Sequence, residues 1–290
     1  FHLQRAGHQV TFAVRPHYVD ALERGLDVRC LNGSEKGDHT FIDFRCLALP
    51  EISGASWDQV WLCMSSPALR TGFLEDLVAA IGDAGIVMLQ PGIDDRDYVL
   101  RWVPEARLCS GLIGLVSYPG PLGEDGGPKA MTWWFPPLSS TMFSGDHLLT
   151  QTVVSALNRG GCPARRVDDV RTFGAFGSGV LMPLVAGLEL AGWSFHTLNA
   201  SGGLKRVAGA AREATQLAAP GHRRWLVNLV TLPFILRMII AIARSAAPFD
   251  LEAMLAFHFT KVGDQTREML ARYLELASET DQPAEHIKSI

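Results

Sequence analysis

The chain opens on a helix, a glycine, a strand and an arginine, in an order that few folds accommodate. Phe1-His2-Leu3-Gln4-Arg5-Ala6-Gly7-His8 reads as the last two turns of a helix, stopped by Gly7. Glycine takes the left-handed conformation past a helix end at least cost. Gln9 to Val14 then alternates and β-branches as a strand does, and the run ends on Arg15. This is the second half of a dinucleotide-binding βαβ unit, where the tip of the second strand lies beside the adenosine ribose. A carboxylate there bonds the 2′-OH of NAD and an arginine pairs with the 2′-phosphate of NADP, so Arg15 points to NADP. An arginine at a strand end is also at home as a solvated side chain, and this stretch alone leaves both readings open. The first half of the unit, a strand and a Gly-rich phosphate loop, is expected N-terminal to Phe1, so the sequence reads as N-terminally truncated. Gly174-Ala-Phe-Gly177-Ser-Gly179 does not replace that loop, because its spacing differs and no strand precedes it.

A length of 290 residues allows one large or two ordinary domains. A net charge of −4 with no basic run argues against a nucleic-acid surface. The five cysteines, Cys30, Cys46, Cys63, Cys109 and Cys162, are widely spaced and include no CxxC pair. That pattern favours reduced thiols in a cytoplasmic protein over a disulfide framework or a metal site, so no metal is expected. Trp225 to Ala243 has the length of a membrane span. It also carries Asn228, Pro233 and Arg237 inside and Arg223, Arg224 and Arg244 at its flanks. A charge at the centre of a span costs about 2.5 kcal/mol or more, so a buried or dimer-facing helix is the better reading. Apolar on more than one face, this tract predicts a homodimer built on the helical part of the chain.

Strand and helix signals alternate through the first part of the sequence. A short polar helix runs from His17 to Arg24 and is closed by Gly25; strands follow near Asp27–Cys30 and Thr40–Arg45. Asp58 to Met64 is a buried strand, leading through Ser65-Ser66-Pro67 into a helix from about Ala68 to Ile81. Gly85 to Leu89 is the next strand and ends in Gln90-Pro91-Gly92; Asp94-Asp95 opens another helix. Strands at 107–109 and 112–117 continue the sheet, and Pro119 to Lys129 is a loop. Thr132–Phe135 is a strand and His147–Arg159 a helix. From about Val167 only helical tracts remain, at 171–192, 203–217, 221–244 and 249–278. The fold class is therefore α/β. A Rossmann-type NADP-binding domain over 1–167 lacks its first strand and Gly-rich loop, and an all-helical domain over 168–290 follows it. Ligands of open α/β sheets bind at the carboxyl ends of the strands. Arg15, Ser65 and Gln90 all lie at such ends and are the candidate cofactor-binding residues.

In this order the chain resembles the ketopantoate reductase (2-dehydropantoate 2-reductase) family. The resemblance is carried by Ala6 to Arg15, by the Asp58–Met64 strand with its following turn, and by Leu89-Gln90-Pro91-Gly92, similar to the family's L-Q-N-G turn. It continues through Asp168-Asp169-Val170 ahead of a long helix with Pro183-Leu184, and the closing Glu275 to Pro283. The resemblance implies NADP, a substrate bound in a cleft between the two domains, and Arg15 as the 2′-phosphate partner. The family's other functional residues are not matched. Ser65 stands where the family has a pocket lysine, Pro91 where it has the turn asparagine, and Gly174 where it has the catalytic lysine. Ser178 replaces an asparagine, and the acidic substrate residue falls near Gly263, beside Asp264.

Hydride delivery to a ketone creates an alkoxide that a positioned acid must protonate. The lysines are Lys36, Lys129, Lys205, Lys261 and Lys288; only Lys205 and Lys261 lie in helical tracts of the second domain. Read as one continuous helix, His258, Lys261 and Gln265 fall at i, i+3 and i+7 and share a face. That spacing fits a solvated helix face and also a substitute acid/base set, with Lys261 and His258 catalytic and Ser66 and Gln265 contacting substrate. The resulting expectation is an NADP-dependent oxidoreductase reducing a small carbonyl or imine other than ketopantoate. Its alternative is an NADP-binding relative without turnover, acting as a sensor or interaction protein.

Overall fold

The computed structural model describes residues 1–122, 129–221 and 224–290, which form two compact units. Most of the expected Pro119–Lys129 loop, and Arg223 ahead of the apolar tract, lie outside the described residues. The first unit comprises Phe1–Met64, Ala68–Gln90 and Asp94–Val170; the second comprises Ser65–Pro67, Pro91–Ile93 and Arg171–Ile290.

The first unit starts with α1 (His2–Arg5), which ends into Gly7 at φ +89°, and β1 (Thr11–Val14). After a 3-10 turn at Pro16–Tyr18 come α2 (Val19–Leu22), β2 (Leu26–Cys30), β3 (Gly37–Phe41) and β4 (Arg45–Ala48). The single strand read over Thr40–Arg45 is thus the end of β3 and the start of β4. Next are β5 (Gln59–Leu62), α3 (Ser66–Leu69) and α4 (Phe73–Ala80). The helix expected from Ala68 to Ile81 is broken because Gly72, at φ +90°, turns the chain between α3 and α4. Then follow β6 (Gly85–Met88), α5 (Asp95–Val99), β7 (Leu108–Leu112), β8 (Val116–Gly120), β9 (Ala130–Trp134) and β10 (Thr141–Gly145). The unit closes with α6 (His147–Arg159) and β11 (Ala164–Arg166). α6 begins where it was read because the Asp146 carboxylate accepts the Leu149 N–H at 2.9 Å.

These strands form three sheets rather than the one open sheet expected. β1 pairs in parallel with β4. A five-stranded sheet has the order β11-β10-β7-β6-β5, with β5, β6 and β7 mutually parallel and β10 antiparallel to β7. A four-stranded sheet has the order β3-β2-β9-β8. Along β6, Ile86 and Met88 belong to a core with Leu62, Leu69 and Leu74, whereas Val87 belongs to another with Phe143, Val153 and Trp133. Successive side chains of a strand point to opposite faces, so the parallel sheet is covered on both sides, as in doubly wound folds.

The second unit holds α7 (Val170–Leu190, its first residue still in the first unit), α8 (Phe195–Ala200), α9 (Gly203–Ala218) and α10 (Arg224–Val230). It continues with α11 (Pro233–Ala246), α12 (Leu251–Lys261) and α13 (Gly263–Glu279). The glycines at 174, 177 and 179 are helical, and Gly179 is where α7 meets α9: a Cβ there would sit 2.8 Å from the Thr215 Cα. The tract read as one helix over 221–244 is two, α10 and α11, bent by 70°. Pro233 has no N–H to continue the ladder and instead occupies the first turn of α11. Among the described residues, α7 is the one single helix long and apolar enough to cross a membrane, with mean hydropathy 1.5, and α10 and α11 reach that measure only when taken together.

Candidate functional site

Three of the sequence-predicted residues follow strand ends of the first unit's sheets. Arg15 directly follows β1; its side chain is exposed and makes no ion pair among the described residues. Its carbonyl accepts the Tyr18 N–H at 2.9 Å, which fixes the backbone there and leaves the guanidinium to solvent. Gln90, two residues past β6, is buried. Its Nε2 donates to the Leu62 carbonyl at 2.9 Å and the Met64 carbonyl at 2.8 Å, and its Oε1 accepts the Leu89 N–H at 3.2 Å. The amide therefore clamps the exit of β6 to that of β5 and satisfies carbonyls that leave the ladder where β5 ends. Ser65, past β5, is half-buried.

Ser66 and Gln265 come together in the second unit: Gln265 Oε1 accepts the Ser66 N–H at 3.3 Å. Gln265 does not share a helix with Lys261 and His258, as the i, i+3, i+7 reading required. α12 stops at Lys261, Val262 takes φ −113° and ψ 26°, and α13 starts at Gly263. His258 and Lys261 stand on the last turn of α12, and Gln265 on the first turn of α13. A β-branched residue followed by glycine is a weak place to continue a helix. Lys261 is exposed. His258 has much of its ring open, yet neighbouring protein desolvates it and lowers its pKa, and the positive charge of Lys261 lowers it further. The ring meets Phe259 edge-on at 4.9 Å. The lowered pKa favours the neutral imidazole, which can accept or relay a proton.

Two buried polar arrangements escaped the sequence. Arg70, after α3, pairs with Asp95 on the first turn of α5 at 2.7 Å, and the Asp95 side chain is 0% exposed. The Arg70 and Arg101 guanidiniums each lie 5.4 Å from the Tyr98 ring centroid. This puts a cation in the segment after β5, five residues beyond the serine that replaces the family's lysine. The Asp94-Asp95 helix start is visible in sequence; its arginine partner is not, because the two meet only through the β5–β6 pairing. In the second unit, Tyr273 Oη donates to Ser178 Oγ at 3.1 Å. Burial pushes the Tyr273 hydroxyl up to about 12, the Ser178 bond opposing the shift. The Ser178 hydroxyl therefore ties α7 to α13.

All five cysteines are free thiols. Burial pushes Cys109 and Cys162 up to about 11, with bonds to Thr150 and Thr141 opposing, so neither is a ready nucleophile at neutral pH. Among the described residues no cluster of three His, Cys, Asp or Glu side chains could hold a metal ion.

A parallel sheet covered on both faces and followed by a helical unit is a Rossmann-type architecture with a helical C-terminal portion. No family model matches the sequence, and no curated protein does. Solved structures match over nearly the whole chain. A 2-dehydropantoate 2-reductase from Geobacter metallireducens GS-15 aligns with a TM-score of 0.68 at 16% identity, covering 99% of this chain and 91% of that one. The same enzyme from Methylococcus capsulatus gives 0.65 at 17%, covering 99% and 88%. D-mandelate dehydrogenase, solved with NADH and anilino(oxo)acetate, gives 0.68 at 14%, covering 99% and 89%. The chain has the fold of the ketopantoate reductases, as a divergent sequence.

Proposed function

We propose that this chain is a nicotinamide-dependent oxidoreductase that reduces a small carbonyl or imine and takes NADP. The observation that carries the reading is Arg15: an unpaired guanidinium directly after β1 of a Rossmann-type fold, where a 2′-phosphate binds and an acidic residue would reject it. The cofactor, when bound, supplies the hydride. Arg15 holds its 2′-phosphate, while Gln90 keeps the exits of β5 and β6 at fixed spacing so that Ser65 is presented at the strand end. D-Mandelate dehydrogenase was solved with NADH, so the fold alone does not choose between the two nicotinamide cofactors.

Gln265 and Ser66 form the pair proposed to contact substrate, and Lys261 with His258 the pair proposed to supply or relay the proton to the product oxygen. With serine and proline at the family's charged and amide positions, the substrate is less anionic than ketopantoate. Reduced-nicotinamide consumption with a panel of 2-oxo acids, simple ketones and imines tests this. A Lys261→Ala loss of at least tenfold in kcat with unchanged cofactor affinity is the expected result.

A second reading, an NADP-binding relative without turnover, has one specific observation behind it. Ser178, at the family's asparagine position, is bonded to buried Tyr273, and Gly174 replaces the lysine one turn before it. Tight NADPH binding with no consumption on any substrate class is the result that selects this reading. The assembly is proposed to be a homodimer through the exposed apolar side chains of α10 and α11.

A further inference from the structure

α11 presents different faces to different surroundings. Leu236 is buried, Phe234, Met238 and Ile242 project outward, and residues 237, 240, 241 and 244 line a hollow shared with α8 and α9. The last set is spaced i, i+3, i+4 and i+7, one helix face. The hollow has a volume of about 220 Å³ and lies wholly within the second unit. Its floor is apolar, built on Leu198, Leu204 and Ile240, and its polar groups are Arg237 and Arg244 from α11 with His196 and Asn199 from α8.

The two arginines differ. Arg244 lies 3.7 Å from Glu252 and its guanidinium sits 5.7 Å from the Phe195 ring centroid. Glu252 also accepts the Phe195 N–H, so its carboxylate is shared between a backbone donor and Arg244. Arg237 makes no ion pair among the described residues. Two cations against one shared carboxylate leave an excess positive charge over an apolar floor. His196 and Asn199 add side chains that can bond an oxyanion directly.

We propose that this hollow binds a small organic anion, a carboxylate or a phosphate monoester, with its charged end at Arg237 and Arg244 and an apolar body on the floor. Guanidinium groups match such oxyanions in geometry and charge, and an apolar body displaces water from the floor. The anion arrives free in solution or as the headgroup of an anionic lipid. The site is independent of the strand-end arginine and of any turnover.

Thermal unfolding and calorimetry with phenyl phosphate and hexanoate, against acetate and neutral hexanol, read the site in the whole protein. Arg237→Gln is the diagnostic variant, since Arg237 is exposed and holds no carboxylate; its unliganded melting temperature should equal that of wild type. The expected result is stabilisation by phenyl phosphate or hexanoate, at least tenfold weaker binding in Arg237→Gln, and unchanged binding in Arg15→Ala. Hexanol and acetate should bind more weakly than hexanoate. If the soluble anions fail but phosphatidylglycerol vesicles, not phosphatidylcholine vesicles, bind in an Arg237-dependent way, the lipid headgroup is the source. The proposal is overturned if neither binds, if Arg237→Gln matches wild type, or if Arg15→Ala rather than Arg237→Gln abolishes binding.

Discussion

At the exits of β5 and β6 polar side chains are turned inward and consumed by backbone, whereas along α10 and α11 large apolar side chains are turned outward. Gln90 is buried, and its amide bonds main-chain groups at the exits of two neighbouring strands. Trp225, Phe234 and Ile242 are 69%, 71% and 60% exposed. The first region has the marks of a rigid platform, since every buried polar group lost there must be desolvated without return. The second has the marks of a surface that awaits a cover, because clustered exposed aromatic and aliphatic side chains indicate a contact face. A platform of the first kind suits cofactor binding, and a face of the second kind is where the proposed dimer contact would lie.

The largest expected effect lies in the platform. Gln90→Leu should cost about 3 kcal/mol, because it strips the Leu62 and Met64 carbonyls of their donor at about 1–3 kcal/mol each. Urea unfolding reads it, and a loss under 1 kcal/mol would mean that water replaces the clamp. On the α10–α11 surface, Phe234→Glu should leave stability nearly unchanged and convert dimer to monomer by light scattering. A wild-type monomer at micromolar concentration removes the contrast between the regions.

Smaller effects sharpen it. Tyr273→Phe should cost about 1 kcal/mol, the net worth of one buried hydrogen bond, with no effect on nucleotide affinity. Gly174→Ala should raise stability by about 1 kcal/mol, because a helical glycine with nothing within 4 Å of an added Cβ gains only propensity. The smallest effect is in pH. Desolvation lowers the pKa of His258, so the unfolded chain takes up that proton first as the solution is acidified. Stability should therefore fall as pH drops through about 6.5, the ordinary histidine range, and the fall should be shallower in His258→Gln. His2, lowered by burial despite its bond to the Gly160 carbonyl, contributes in the same direction and keeps the residual slope from vanishing.

How legible these features are in the sequence follows their range of interaction. α6 is read to the residue because its cap, Asp146, and its apolar period are local. β11 has no apolar alternation and exists as a strand through its parallel pairing with β10, a contact no local pattern announces. The break at Val262 is hidden because helix-compatible residues run on across it, and only the backbone at Val262 (φ −113°, ψ 26°) ends α12 before Gln265. At the site, Arg15 is legible because helix, glycine, strand and arginine are consecutive. The Arg70–Asp95 pair and the Gln90 clamp are not, since each forms only once β5 and β6 lie side by side.

Arg15 is proposed to stand where a dinucleotide's ribose is read. Titration of NADPH and NADH against the whole protein and its Arg15→Ala variant tests it most directly. Wild type should prefer NADPH by about tenfold or more, and the variant should lose that preference while its NADH affinity stays within about twofold. Equal affinities in wild type, or an unchanged preference in the variant, would contradict it.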